Sequence, residues 1–331
     1  MRAVVAHQYG LEHLSLDNVP APGIGELEIR IRVHSAGVSF ANLLVVEGRH
    51  QNRWAPPFTP GTEVAGIVLE CGSQVSLFKP GDRVVAGVRK GGYAEQVVAP
   101  QGNVFHLPDA VDFDAAVHFP TIYATAYGAL KWRARLKPQE TLLVHGASGG
   151  SGLAAIEIGK ILGARVIACA GSDEKLQAAA SHGADIGINH QRGEFKDLVL
   201  QHTNGRGADV IFDPVGGATF AQSLRCIAPD GRIIPMGFAS GDIPQVPANL
   251  ALVKNITVIG IYWGYYMGWA RQLPPPEMET QVRSAFTEML NWAAQGLLVP
   301  QTHQTYPLEQ FRSALDAISH RSVIGRCALH P

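Results

Sequence analysis

Apolar and polar residues alternate through EIRIRVHSAG, residues 28–37, which turns Ile29, Ile31 and Val33 to one face and predicts a strand. The runs EVAGIVLECG and DRVVAGV follow between Gly and Pro breaks, so the chain up to about residue 120 reads as a compact β-rich unit. From there to about residue 260 the texture changes. The apolar runs TLLVHG, ARVIACAG, ADIGINH, ADVIFDPVG, GRIIPMG and ITVIGIYW alternate with helix-length segments. That alternation predicts a parallel sheet covered by helices, a doubly wound α/β domain that binds its ligand at the carboxyl ends of the strands. Beyond it, Val282, Phe286, Met289 and Ala293 recur at helical spacing, and a second helix near Leu308–Ile318 precedes a last strand, GRCALHP. The expected boundaries are 1–122, 123–262 and 263–331.

Length adds that 331 residues suffice for two domains with large cores. The 27 basic and 28 acidic residues leave a net charge of -1, so no global cationic field gathers nucleic acid or anionic lipid. The uncharged stretch between Lys254 and Arg271, residues 255–270, falls short of the ~18–20 residues a membrane-spanning helix needs. Cys71, Cys169, Cys226 and Cys327 form no CxxC or similar pair, which argues against a disulfide framework and a cysteine-rich zinc site. With no apolar leader-like run at the N-terminus, a reducing, cytoplasmic setting is expected.

The sharpest local signal is the stretch from Val144 to Ala154, VHGASGGSGLA, a strand end running through small residues into a helix. Backbone without side chains lets a pyrophosphate approach, and a helix beginning near Gly150 offers it free N–H groups and a positive dipole end. Ser148, Gly149, Gly150, Ser151 and Gly152 are the expected cofactor contacts here. Ala147 stands at the first glycine of the general GxGxxG pattern, so the assignment rests on the strand–turn–helix context. Selectivity is read at the end of the next strand. An NAD-selective domain places a carboxylate about 20 residues after the last glycine, and here that position is Gly171. Gly171 leaves room for a 2'-phosphate, Ser172 can donate to it and Lys175 can supply a cation, so NADPH is the expected cofactor. The competing reading has Asp173 reach back to the ribose and select NADH.

These residues, with Gly37–Asn42 (GVSFAN), Pro60–Gly66 (PGTEVAG), Lys79–Val84 (KPGDRV) and Asp213–Gly217 (DPVGG), make the chain resemble the medium-chain dehydrogenase/reductase superfamily end to end. Within it the chain is similar to the zinc-free NADPH:quinone oxidoreductase branch that includes zeta-crystallin. The resemblance implies a GroES-like β-rich catalytic domain built from both ends of the chain, a Rossmann nucleotide-binding domain inserted in the sequence, and a homodimer joined through the edge of the nucleotide-binding sheet. Zinc-dependent relatives place Cys where this chain has Ser39 and His where it has Thr62, and carry a four-Cys lobe after the GDRV segment; with these ligands missing, no metal is expected.

The resemblance also assigns the cofactor 2'-phosphate to Ser172, Lys175 and Arg321, with His190 standing where the branch has Tyr. Thr125 matches a threonine near the nicotinamide, and Val215, Gly237 and Phe238 are implied on the far side of the cofactor. Ser39, Asn42 and Thr62 then become neutral hydrogen-bonding groups of the substrate pocket, Trp263 a stacking wall, and His50 the proton donor, since some related enoyl reductases carry Tyr two residues after a glycine in that loop. The implied activity is hydride transfer from NADPH to a small-molecule quinone or α,β-unsaturated carbonyl. Rival readings are a reductase of enoyl or acryloyl thioesters, with Arg49, Arg53, Arg89 and Lys90 serving the carrier's phosphates, and a single-stranded RNA-binding or NADPH-sequestering protein. Near-neutral charge disfavours nucleic acid.

Overall fold

The computed structural model describes residues 1–320 and 323–331. It divides into two units: Met1–Thr121 with Gly264–Gly296 and Pro300–Pro331, and Ile122–Trp263 with Leu297–Val299.

The first unit opens with β1 (Arg2–Ala6) and β2 (Leu14–Asn18), an antiparallel pair. β3 (Glu28–Val38) leads into the short helix α1 (Phe40–Val46), and β4 (Glu63–Cys71), β5 (Arg83–Gly87), β6 (Gln96–Pro100) and β7 (Val104–His106) follow. The alternation in β3 has the expected result: Ile29 and Ile31 are wholly buried, and Val33 nearly so.

The second unit carries six strands among the described residues: β8 (Thr141–His145), β9 (Arg165–Ala170), β10 (Ile186–Asn189), β11 (Ala208–Asp213), β12 (Ile227–Pro235) and β13 (Thr257–Val258). All neighbours are parallel and the order is β10-β9-β8-β11-β12-β13, the doubly wound arrangement. Helices α2 (Gly150–Ile161), α3 (Asp173–Ser181), α4 (Phe195–His202) and α5 (Gly217–Cys226) connect its strands. The order reverses between β8 and β11, and the glycine turn lies at the carboxyl end of β8, where such sheets receive ligands. The run ITVIGIYW departs from expectation. Only Thr257–Val258 pairs, because Gly260 follows and the chain then turns into a short helix, Trp263–Tyr266.

The chain returns to the first unit with α6 (Glu277–Ala294), which buries Val282, Phe286 and Met289. After it come β14 (Thr302–Pro307), α7 (Phe311–Ser319) and β15 (Arg326–His330). β15 adds antiparallel to β3, with Cys327 opposite Val38 and Leu329 opposite Ala36, so the two ends of the sequence share one sheet. Leu297–Val299 group with the second unit rather than the first, as the backbone N–H of Val299 donates to Glu157 of α2 at 3.1 Å.

Candidate active site and cofactor-binding turn

In the nucleotide unit, β8 ends at His145 and the chain turns through Gly146, whose φ of 56° lies in the left-handed region that favours glycine. Gly149 donates its N–H to Gly146 O at 3.0 Å, closing the turn. α2 starts at Gly150 with Gly149 as N-cap, and no side chain caps it, so the first-turn amides have no capping acceptor from the cap residue. A Cβ on Gly152 would lie 2.3 Å from Gly146 O and 2.8 Å from Ala147 Cα; the missing side chain lets the helix start against the turn. On Gly149 a Cβ would meet only Gly146 O, at 3.4 Å, so that glycine leaves open space. Ser148 is buried in the turn, and Ser151 is half-buried in the first helical turn. Uncapped amides beside open space at a strand's carboxyl end have the chemistry a diphosphate requires.

The structure brings Gly171 and His190 together: a Cβ on Gly171 would lie 3.4 Å from the His190 ring. Ser172 is the N-cap of α3 and its Oγ accepts from Lys175 N at 3.3 Å, which leaves the hydroxyl proton for another acceptor. Asp173 accepts from Asn189 Nδ2 at 2.9 Å and pairs with Arg192, and these partners hold its carboxyl below the usual carboxylate range, Asn189 contributing most. That carboxylate is occupied, which weighs against its reaching a ribose. Arg192 is a cation the sequence reading passed over; its position two residues after His190 was the available signal. Arg321 lies outside the described residues.

On the other side of the switch point, Asp213 is wholly buried and its Oδ1 accepts from Val215 N at 2.8 Å and Gly216 N at 3.1 Å. This carboxylate shapes the DPVGG turn, a role unread in the sequence. Ala239 N donates to Pro214 O and Ser240 N to Val215 O, so the loops after β11 and β12 are knitted together. Val215, Gly237 and Phe238 thereby converge, with Phe238 41% exposed and its ring 3.1 Å from where a Gly216 Cβ would stand.

Thr125 is half-buried on a short helix, Ala124–Tyr127. Nearby, Tyr123 donates its hydroxyl to Glu157 of α2 at 2.7 Å, and His182 Nδ1 lies 2.7 Å from the same buried carboxyl group. Burial and this carboxylate raise the Tyr123 hydroxyl well above its ordinary value. Trp263 is buried within the nucleotide unit, its ring 5.6 Å from that of Trp132 and against Gly128, so its surroundings are packing partners.

Buried His145, 2.8 Å from Ser223 Oγ, has its pKa pushed down to about 3, chiefly by burial. An unfolded histidine titrates near 6.5, so between those values the unfolded chain binds the extra proton and stability declines as pH falls. The slope is at most about 1.4 kcal/mol per pH unit. His145→Gln is expected to flatten this decline between pH 6 and 4 in urea unfolding of paired samples; an unchanged slope would assign acid sensitivity elsewhere.

In the other unit, Ser39 caps α1. Its Oγ accepts from Asn42 N at 3.2 Å and its backbone N–H donates to Asn42 Oδ1 at 3.0 Å, a reciprocal cap, while its hydroxyl also donates to Asn42 Oδ1 at 2.7 Å. Asn42 Nδ2 donates to Thr62 Oγ1 at 3.3 Å. The three expected substrate groups are therefore one network, in which Ser39 has spent its proton and Thr62 keeps its own to donate. Behind them, Glu63 is wholly buried and paired with Arg326 of β15, whose Nε also donates to Val38 O at 3.2 Å; Thr121 N donates to Glu63 Oε1 at 3.1 Å. His50 accepts from Asn52 N at Nδ1, 3.1 Å, which places its proton on Nε2, and burial lowers its pKa. The ring is a neutral donor rather than a charged acid. Among the described residues no group of three or more His, Cys, Asp or Glu side chains is arranged to hold a metal ion, and no helix is long and apolar enough to cross a membrane.

Residues 25–109 match the alcohol dehydrogenase GroES-like domain and residues 150–276 the zinc-binding dehydrogenase domain. The rat quinone oxidoreductase-like protein 2 is 39% identical over 317 residues, 96% of this chain and 88% of its own. Human quinone oxidoreductase is 31% identical over 332 residues, 97% of this chain and 95% of its own. Escherichia coli quinone oxidoreductase, solved in complex with NADPH, superposes with a TM-score of 0.91 at 28% identity, covering all of both chains. A GroES-like unit joined to a doubly wound nucleotide unit, with this turn at the switch point, defines an oxidoreductase that uses a nicotinamide cofactor. The chain belongs to the zinc-free quinone oxidoreductase branch of the medium-chain dehydrogenase/reductase superfamily.

Proposed function

We propose that this protein is an NADPH-dependent reductase of quinones or α,β-unsaturated carbonyl compounds that works without zinc. The observation that carries the reading is the glycine turn, close-packed at Gly152 and open at Gly149, at the carboxyl end of β8. Ser148, Gly149, Gly150, Ser151 and Gly152 would hold the diphosphate, Ser172, Lys175 and His190 around Gly171 the 2'-phosphate, and Thr125, Val215, Gly237 and Phe238 the nicotinamide end. When bound, the cofactor supplies a hydride. The chain's own part is positional and polar: Thr62 donates a hydrogen bond to the acceptor's oxygen, while Asn42 orients Thr62. Neutral hydroxyls at positions 39 and 62, one of them committed to a helix cap, suit carbonyl recognition better than zinc ligation. His50 holds a proton at Nε2 that an enone requires at its α carbon and a quinone does not.

The reading includes a homodimer joined along β13, the sheet's edge strand, beside the exposed Leu252, Val253 and Val258. Four cysteines outside any disulfide support a reducing, cytoplasmic setting. NADPH and NADH oxidation with 1,2-naphthoquinone and with an alkenal tests cofactor and acceptor class. Lys175→Ala is expected to lower kcat/KM for NADPH by about 10–100-fold and for NADH by less than about twofold, the loss of one charge-assisted contact to a phosphate. Equal losses with both cofactors would remove Lys175 from phosphate recognition.

A further inference from the structure

The loop after His50 and the turn after β5 converge on Trp54. The Arg89 guanidinium lies 5.0 Å and the Lys90 ammonium 4.9 Å from the centre of its ring. Arg53 is exposed on the same loop, and among the described residues no carboxylate pairs with Arg53, Arg89 or Lys90. Arg49 differs, being paired with Glu47 at 3.0 Å. The two cations on one indole repel each other, and cation–π contacts from exposed side chains to this half-buried ring recover only about 1 kcal/mol each. Such a surface lowers its energy by taking up an anion.

The place of this patch matters as much as its charge. Val88, the residue before Arg89, donates its N–H to Thr62 O at 2.9 Å, and Gly91 N, Gly92 N and Tyr93 N donate to Thr59 O, Gly61 O and Pro60 O at 2.8–3.0 Å. The cationic turn is thus pinned strand-fashion to the segment that delivers Thr62. Tyr9 fixes the opposing loop by donating its hydroxyl to Trp54 O at 2.9 Å. Arg89 follows the residue paired with Thr62, so the patch at Trp54, Arg89 and Lys90 is close in the fold to the hydroxyl proposed to meet a substrate carbonyl. A simple quinone has no anionic group to place there.

We infer that the preferred acceptor is a 2-enoyl thioester of coenzyme A, its phosphates held by Arg89 and Lys90 with Arg53 at the rim. The inference rests on the reductase reading above and names the substrate class of that site. The step balances as hydride and its electron pair from the reduced nicotinamide cofactor entering at the β carbon, a proton from His50 Nε2, replaced from solvent, entering at the α carbon, and the C=C π bond breaking. The thioester stays intact and the cofactor leaves oxidised.

The test is steady-state NADPH oxidation with crotonyl-coenzyme A, with the crotonyl thioester of N-acetylcysteamine, which lacks phosphates, and with 1,2-naphthoquinone. For the wild-type protein at low salt, kcat/KM for the coenzyme A ester is expected to exceed that for the N-acetylcysteamine ester by about 30-fold or more, as two charge-assisted contacts would provide. Arg89→Gln with Lys90→Gln, both surface changes, is expected to erase most of that difference and leave the other two acceptors within about twofold. Equal kcat/KM for the two thioesters in the wild type, or parallel losses with all three acceptors in the variant, overturns the inference. Turnover of the quinone with none of the coenzyme A ester also overturns it while leaving the reductase reading standing. No oxidation with any acceptor overturns both.

Discussion

Gly152→Ala is expected to abolish measurable NADPH binding and to destabilise the fold by about 3 kcal/mol. The new Cβ would stand 2.3 Å from a backbone carbonyl and 2.8 Å from a backbone Cα, neither of which can swing aside as a side chain could. α2 would have to retreat from the turn. Gly149→Ala provides the contrast. Its φ of −77° suits any residue and the nearest atom is 3.4 Å away, so its stability cost is the weaker capping of alanine, about 1 kcal/mol. If the diphosphate lies over that open space, the same substitution is expected to reduce NADPH affinity by about tenfold or more. Urea unfolding and calorimetric titration of both variants separate packing from ligand approach. Wild-type affinity in Gly149→Ala would mean that the diphosphate is held elsewhere.

Arg326→Ala is expected to cost about 3–5 kcal/mol, because it leaves the wholly buried Glu63 carboxylate without its cation. Thr121 still donates to that carboxylate, but a neutral partner does not neutralise it. The double variant Glu63→Met with Arg326→Met removes both charges and is expected to recover most of the loss. Urea unfolding of the three proteins tests this. A double variant as unstable as Arg326→Ala alone would mean that the guanidinium's contact with Val38 O, not charge pairing, is what matters.

The fold was legible where periodicity and glycine placement carry local meaning. The alternation of Ile29, Ile31 and Val33, the run TLLVHG followed by GASGGSG, and the helical spacing of Val282, Phe286 and Met289 each specify an element without reference to the rest of the chain. The first strand pair and the shortness of β13 were not read, since edge pairing depends on a partner's register as well as on composition. The site divided along the same line. The structure brings Gly171 beside His190, and Ser39 into one network with Asn42 and Thr62. Glu63 with Arg326 is separated by 263 residues, and no local pattern marks a buried pair of that span. The state of His50 was equally hidden: a histidine in a polar loop gives no sign that Asn52 N will occupy Nδ1.

The pairing of β15 with β3 bears on how the protein is made. At roughly 5–20 residues per second, a ribosome finishes the strand at residues 28–38 well before residues 326–330 exist. Nascent Gly37 and Val38 must therefore wait for their neighbours, while the contiguous stretch 122–263 can condense during translation. Truncation shortly before Arg326 would leave an unclosed sheet edge and an orphan carboxylate, conditions under which chaperone capture and proteolysis outpace maturation.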